Sequence, residues 1–197
     1  MYRILKILFP SLVWKYSSSE KSIYITFDDG PFAELTPFIL KELKKYNAKA
    51  TFFLTGEQVE KDYSLYKKIL QDGHSVGNHG YSHLNGWKTE NKTYFYDIEK
   101  CHNILNTTLF RPPYGKIKPS QISHLKKQYN IIMWDVLSWD FNSKLSPQKC
   151  LQKVIRDTKN GSIIVFHDNQ KSMKNLMFVL PKFLNYFHSK GFKFKRI

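Results

Sequence analysis

The feature that most constrains the fold is an alternation of two sequence patterns along the chain. Short runs rich in β-branched and aromatic residues, which are typical of strands, alternate with longer stretches of helical period. The strand runs begin at Ser22, Lys49, His74, Leu109, Ile131, Ser162 and Phe192. Strands that alternate with helices form parallel sheets with the helices outside. The pattern therefore predicts an α/β fold with about seven parallel strands, either an open doubly wound sheet or a (β/α) barrel.

Helices are predicted between these strand runs. The first begins near Thr36, where the threonine can cap the helix and Pro37 can take the first helical position. Further helical stretches cover residues 64–72, 93–106, 118–130, 146–159 and 175–190. Gly73, Gly161 and Gly191 each follow such a stretch and can adopt the left-handed conformation that ends helices. No Gly/Ser-rich linker divides the 197 residues, so a single domain is expected.

The composition describes a packed but unusually basic protein. An apolar fraction of 42% fits a globular chain and argues against disorder. The formal net charge is +15, and its lysines are dispersed along the chain. Such a charge favours weak association with a membrane surface or an anionic polymer, although a solvated basic surface explains it equally well. No nucleic-acid-binding motif is present, so a polyanion binder with a vestigial site is only a minor alternative, and no specific nucleic-acid partner is predicted.

Residues 1–21 are expected to form a peripheral N-terminal segment, with the domain proper over residues 22–197. The run MYRILKILFPSLVWK is shorter than the roughly 20 apolar residues that a transmembrane helix needs. Lys6 and Pro10 interrupt its apolar stretch, which makes it a poor signal peptide. A segment packed on the domain is preferred over a membrane-surface anchor. A cytoplasmic location and a peripheral place at the cell envelope both stay open, as does the oligomeric state.

Unusual polar residues fall at the carboxyl ends of the predicted strands. They are Asp28 and Asp29 after the first run, His79 after the third, Arg111 in the fourth, Asp140 after the fifth and His167 at the end of the sixth. The working face of an α/β fold lies beyond the carboxyl ends of its strands. Several such ends carrying these residues therefore indicate one shared site.

Asp29, His79 and His83 are predicted to hold a metal ion. His79 and His83 are four residues apart, so on a helical turn they share one face and can reach the same ion. Neutral imidazole suits zinc and related metals, and a carboxylate is a common third ligand. The neighbouring carboxylates of Asp28 and Asp29 repel one another, which favours a nearby cation or a shared proton. Either motif alone also fits a structural role, since Asp-Gly-Pro is ordinary turn chemistry.

Two further motifs carry candidate catalytic groups. In RPPYG the prolines lack N–H donors, which leaves the Tyr114 N–H free to point into a cleft, and Arg111 can hold a carboxylate. A stiff loop with a surface arginine is the alternative. A histidine such as His167 at the end of an apolar strand is costly to bury without a partner. Asp140 is the predicted partner, and its charge would keep the imidazole protonated.

In this order, the clusters TFDDGP, H-x-x-x-H, RPPYG, the aspartate after the fifth strand and the histidine ending the sixth resemble the polysaccharide deacetylases. This carbohydrate esterase family includes chitin and peptidoglycan deacetylases, and the resemblance runs from Ser22 to the C-terminus. It implies a distorted (β/α) barrel of seven or eight strands. It also implies one divalent metal ion, usually zinc and sometimes cobalt or nickel, held by Asp29, His79 and His83. The implied reaction removes N-acetyl groups from a glycan and releases acetate.

The resemblance also assigns acid and base roles. Asp28 matches the family's catalytic base, and Arg111 matches the residue that tethers this base. Tyr114 matches the position whose backbone N–H helps to bind the oxyanion. His167 matches the catalytic acid, and Asp140 matches the residue that tunes its pKa.

The chain departs from the family pattern at three positions. Leu137 stands where the first of two acids is usual, Phe141 stands where tryptophan is common, and Val165 replaces a leucine. Weaker tuning of the catalytic acid is one expected consequence, because Asp140 is then the only acid of its motif. Trp87, just past the metal histidines, is expected either to stack on a sugar or to pack in a loop. Related folds hydrolyse cyclic imides and other amides, which is the alternative substrate class.

Overall fold

The computed structural model describes residues 9–197, in which eight short strands form one parallel sheet. They are β1 Ser22–Asp28, β2 Thr51–Leu54, β3 Ser75–Asn78, β4 Leu109–Phe110, β5 Asn130–Ile131, β6 Val136–Leu137, β7 Ile163–His167 and β8 Lys193–Lys195. The strand order is β5-β4-β3-β2-β1-β7-β6, and β8 also pairs with β1. The sheet curves into an incomplete barrel, so the predicted distorted (β/α) barrel is confirmed.

Strand β1 lies at the centre of the sheet and positions the site. Parallel strands are covered on both faces and therefore read as nearly continuous apolar runs, and six of the seven residues of β1 are buried. Alternate side chains point to opposite faces. Ile23, Ile25 and Phe27 belong to one large apolar cluster, whereas Asp28, at the strand end, borders a cleft. Asp28 is in register with His167 of β7, so two predicted catalytic residues lie side by side.

The run that begins at Ile131 was predicted as one strand, and this prediction is wrong. It contributes β5 and β6, which lie at opposite edges of the sheet. Between these two strands, successive backbone N–H groups donate to different segments of the chain. The N–H of Ile132 donates to Phe110 (2.8 Å), that of Met133 to Val13 (2.7 Å) and that of Asp135 to Ile163 (3.2 Å). Apolar periodicity reports burial and not the partner strand, so the crossing was invisible in the sequence.

Residues 12–15 connect the backbone just after β5 with the backbone just before β7. Val13 forms a parallel bridge with Ile132, and Lys15 forms an antiparallel bridge with Ser162. Leu12 and Trp14 are buried in the apolar cluster that contains Ile132. Residues 1–8 of the predicted N-terminal segment lie outside the described part of the chain, and the domain boundary at residue 22 stays a prediction. Within residues 9–197, no helix has the length and apolarity needed to cross a bilayer.

Seven α-helices are described between residues 9 and 197: α1 Thr36–Lys45, α2 Gly56–Lys61, α3 Tyr63–Gln71, α4 Asn91–Leu105, α5 Pro119–Leu125, α6 Pro147–Asp157 and α7 Met173–Ser189. Six match the predicted stretches, and the six-residue α2 is too short to show a helical period. Gly73 and Gly191 follow α3 and α7 with φ of 77°, as the stop signals predict. Thr36 begins α1 but does not cap it, because Leu35 occupies the cap position.

Candidate active site

An open cleft of about 900 Å³ lies at the carboxyl ends of the strands. Of the predicted site residues, its lining includes Asp28, Asp29, His79, His83, Tyr114 and His167. Arg111 and Asp140 are fully buried and contact Asp28 and His167, respectively. All eight predicted metal-binding and catalytic residues therefore meet at one place, although they come from segments more than a hundred residues apart.

Three of these side chains have the geometry of a metal site. Asp29 Oδ1 lies 3.2 Å from His83 Nε2 and 3.6 Å from His79 Nε2. One ligand atom from each residue lies within 4.8 Å of the others. Two ligands that are each about 2.1 Å from a tetrahedral ion are about 3.4 Å apart. The observed separations, with two imidazoles and one carboxylate, therefore fit a site for one divalent metal ion.

His79 has the tautomer and the neutral charge that a metal ligand needs. Its ring is buried, and Nδ1 lies 2.7 Å from the carbonyl oxygen of Arg111, to which it donates a hydrogen bond. This bond leaves the lone pair of Nε2 facing Asp29. Burial lowers the pKa of His79 to about 4. The imidazole is therefore neutral at neutral pH, as metal coordination requires.

Asn169 holds the second oxygen of Asp29, a contact that the sequence analysis missed. Its Nδ2 donates to Asp29 Oδ2, while its Oδ1 accepts from the backbone N–H groups of Lys171 (2.9 Å) and Ser172 (3.0 Å). The two acceptor contacts fix which end of the amide faces Asp29. Only Oδ1 of Asp29 is then left for the histidines. The sole signal in the sequence was the position of Asn169, two residues beyond His167.

Arg111 is a fully buried cation that fixes Asp28. Its Nη1 donates to Asp28 Oδ1 (2.7 Å) and to the Thr26 hydroxyl (2.6 Å). Nε and Nη2 donate to the backbone carbonyls of Ile132 (3.1 Å) and Met133 (2.9 Å). The second oxygen of Asp28 remains directed at the metal ligands, 3.9 Å from His79 Nε2. A surface arginine, the alternative to this role, is excluded by the burial of Arg111.

Asp140 is the partner of His167, as the sequence predicts. Its Oδ1 lies 2.7 Å from His167 Nδ1, and its Oδ2 accepts from the backbone N–H of the same residue (2.8 Å). Burial acts to lower the pKa of His167, but the charge and hydrogen bond of Asp140 outweigh it and raise this pKa to about 9, with smaller contributions from Asp29 and Asp28. At neutral pH the imidazole is therefore protonated, and its Nε2–H is free to be donated.

The pair predicts a defined pH dependence. Activity that needs protonated His167 is lost as pH rises through its pKa, which lies above that of an ordinary histidine. In Asp140→Asn the charge that opposes the effect of burial is lost, so the pKa of His167 falls. We therefore expect the alkaline limb of kcat against pH to move towards acid by at least about one pH unit. Asp157→Asn changes a partly exposed carboxylate on α6 that lies outside the cleft lining, and it should leave the limb in place. An unchanged limb in Asp140→Asn would rule out His167 as the acid.

The Tyr114 turn forms one side of the cleft. Tyr114 has φ of 61°, its side chain is 60% exposed, and its ring meets that of His83 at 4.5 Å. Gly115 has φ of 64°, and a Cβ there would collide with the Trp134 ring at 2.6 Å. The turn is therefore seated on Trp134. Because Pro112 and Pro113 have no N–H, the Tyr114 N–H is the first backbone donor after Arg111.

Asp168 is a second residue to which the sequence analysis gave no role. Its Oδ2 accepts from the Thr36 hydroxyl, which in turn accepts from the backbone N–H of Phe32 (2.8 Å). Burial raises the pKa of Asp168 to about 7. A side chain at Gly30 would collide with this carboxyl, so the chain between Asp29 and α1 is held tightly against it. The Thr36 hydroxyl, which was predicted to cap a helix, thus links Asp168 to the loop that follows Asp29.

Phe141, where the family usually has tryptophan, lines the cleft and meets the His167 ring edge-on at 4.9 Å. Leu137 and Val165 also line it, from neighbouring strands. Trp87 lies outside the lining. It is 60% exposed, and its indole N–H donates to the Ile117 carbonyl (3.1 Å), which corresponds to the loop-packing alternative.

Comparisons with known proteins agree with this site. A family model described as polysaccharide deacetylase matches residues 15–131. A peptidoglycan-N-acetylglucosamine deacetylase of Bacillus cereus is 36% identical over 187 residues, covering 91% of this chain and 67% of that protein. A crystal structure of a peptidoglycan N-acetylglucosamine deacetylase, in complex with a substituted N-oxidanyl-benzamide, superposes with a TM-score of 0.90 at 33% identity, covering 95% of this chain and 91% of the other.

The chain belongs to the polysaccharide deacetylase family, and it is a hydrolase of the class that cleaves carbon–nitrogen bonds other than peptide bonds. The fold alone does not decide activity in this family. A CE4 family pseudoenzyme from Bacillus anthracis superposes with a TM-score of 0.85 at 26% identity, covering 95% of this chain and 68% of the other. Activity in this family therefore depends on which side chains occupy the site.

Proposed function

We propose that this chain removes acetyl groups from N-acetylglucosamine units of peptidoglycan and depends on one divalent metal ion, with zinc first and cobalt or nickel as substitutes. The observation that carries the proposal is that a carboxylate base and a protonated histidine acid border the same cleft. Asp28 is held beside Asp29, His79 and His83, and a protonated His167 borders the same space. The names of the similar deacetylases support peptidoglycan as the substrate.

The residues of the site suit hydrolysis of an amide. A divalent ion bound to Asp29, His79 and His83 would supply a Lewis acid and lower the pKa of a water molecule towards roughly 7. Asp28, oriented by Arg111, accepts the proton of the attacking water.

Two further groups act on the intermediate. The Tyr114 N–H donates to the developing oxyanion, a type of contact worth about 3 to 4 kcal/mol. His167 gives its Nε2 proton to the amine nitrogen as the C–N bond breaks. The products are acetate and a glucosamine unit that carries a free amine.

Metal removal tests this proposal. We expect the chelator-treated protein to release no acetate from N-acetylglucosamine oligomers or peptidoglycan, and about one equivalent of zinc or cobalt to restore the reaction. His83→Ala should lose both metal stoichiometry and activity, because it removes one of three ligands. His124→Ala changes an exposed histidine that packs on Phe95 and should behave as wild type.

The outcomes separate the competing functions. Acetate release that persists without metal would contradict metal dependence. Turnover of small cyclic imides without turnover of any glycan would favour the alternative substrate class. Tight, salt-sensitive DNA binding that survives substitution of His79 and His83, without hydrolysis, would favour a polyanion binder.

The basic surface is consistent with work at the cell envelope. A net charge of +15 would draw the chain towards anionic envelope polymers, with an attraction that falls as salt rises. We therefore propose a peripheral association with the envelope, where a peptidoglycan substrate would lie.

A further inference from the structure

We infer that Trp139 forms a sugar-stacking subsite beside the reaction centre, an inference that rests on the proposed function. Trp139 lines the cleft together with Phe141 and His167, and its side chain is 38% exposed. The exposed aromatic residues between positions 9 and 197 are Tyr63, Trp87, Tyr96, Tyr114 and Trp139, and of these only Tyr114 and Trp139 line the cleft. An indole face left open to solvent in a cleft can stack on the apolar C–H face of a pyranose ring.

The backbone of Trp139 is in a conformation that its side chain disfavours. Its φ is 62°, in the left-handed region that glycine and asparagine tolerate and that bulky residues rarely adopt. Strained residues persist only where the surrounding structure over-determines them, and they cluster at functional sites. A tryptophan at this position costs stability that an asparagine would not, and this cost points to a role for the ring.

The turn that carries Trp139 is fixed from both sides. The N–H of Ser138 donates to the Val165 carbonyl (3.1 Å), and the Cys150 thiol donates to the Ser138 carbonyl (3.1 Å). Beyond Trp139, the Asn175 amide donates to the Asp140 carbonyl (2.8 Å). The ring is therefore presented on a rigid support, which reduces the entropy lost when a ligand binds.

Neighbouring rings place Trp139 relative to the catalytic acid. The Phe141 ring lies 4.9 Å from that of His167, and the Trp139 ring lies 5.7 Å from that of Phe141. His167 acts on the sugar that loses its acetyl group, and Trp139 is separated from His167 by the Phe141 ring. This position suits the adjoining sugar of the same glycan and predicts a preference for oligomers over single sugars.

A purely structural role is the competing explanation, because the positive φ of Trp139 also helps to direct the next residue, Asp140, at His167. The variant Trp139→Asn separates the two roles, since asparagine accepts a positive φ but offers no ring. Trp139→Tyr retains a ring and should restore binding. Trp87→Asn removes an exposed tryptophan outside the cleft and is the matched control.

For Trp139→Asn we expect the KM for an N-acetylglucosamine tetramer to rise about tenfold, as for the loss of one aromatic stacking contact. Its kcat should change less than about twofold, and its thermal midpoint should not fall. Trp139→Tyr should keep KM within about threefold of wild type, and Trp87→Asn should match wild type. Calorimetric titration with the same tetramer should show the same loss of affinity.

An unchanged KM and affinity in Trp139→Asn would overturn the subsite. A lower thermal midpoint together with a lower kcat would also overturn it, because the residue would then support Asp140 only. If wild type hydrolyses no glycan, the proposed function fails, whereas the calorimetric comparison still decides whether Trp139 binds sugar.

Discussion

Replacing Asp28 with asparagine is expected to reduce kcat by roughly 10²- to 10⁴-fold, the range for loss of a general base. The substitution keeps a side-chain oxygen for the bond from Arg111 Nη1, which spans 2.7 Å in the wild type. It removes the basic oxygen that lies 3.9 Å from His79 Nε2. Because Asp28 is outside the set Asp29, His79 and His83, metal affinity should change far less than kcat. Acetate release and a metal-binding titration on the same preparation measure the two quantities.

Asp157→Asn is the matched control, since it makes the same chemical change at a partly exposed carboxylate of α6 that lies outside the cleft lining. It should retain wild-type kcat and wild-type metal affinity. Circular dichroism of Asp28→Asn confirms that the comparison is made on folded protein. A variant that keeps more than a tenth of the wild-type kcat would exclude Asp28 as the base.

Arg111→Met is expected to lower the free energy of unfolding by about 3 to 5 kcal/mol. Arg111 is fully buried and Asp28 is nearly so, and removing one member of a buried pair leaves an uncompensated charge. Three further hydrogen bonds from the guanidinium, to Thr26, Ile132 and Met133, are lost as well. Urea unfolding of the metal-free protein measures the change without a contribution from metal binding.

Two variants test the physical reason for this loss. Arg156→Met removes an exposed arginine paired with Asp157 and should leave the free energy of unfolding nearly unchanged, because water and salt screen such a pair. The double variant Asp28→Asn/Arg111→Met should recover part of the stability lost in Arg111→Met, because no unpaired charge remains. A loss below about 1 kcal/mol in Arg111→Met would contradict the account of a tightly coupled buried pair.

Family membership explains why the sequence predicted so much of the site. The carboxyl-end rule for parallel strands was enough to bring Asp28, His79 and His167 together, because Asp28 and His167 end strands and His79 directly follows one. The pairing of Asp140 with His167 followed from the cost of burying an imidazole alone. These predictions needed residue chemistry and the order of strands, and both are local properties of the sequence.

Other features depended on contacts between distant segments. Asn169 has no motif of its own, and only the start of α7 turns its amide towards Asp29. Thr36 looked like a helix cap because its hydroxyl is a good acceptor, but Asp168 lies close enough to bind that hydroxyl. The run from Ile131 kept its strand-like pattern although its backbone changes partners between two sheet edges.

The sequence by itself determined the chemistry of this protein: two imidazoles and a carboxylate for a metal, a second carboxylate, an acid histidine and the strands that carry them. The tertiary structure decided which atoms meet. It directed one oxygen of Asp29 to the histidines and the other to Asn169, and it buried Arg111 against Asp28. It also exposed the strained Trp139 in the cleft. The reason is that residue type and periodicity report what a side chain can do and whether it is buried, whereas its partner depends on packing between segments far apart in the chain.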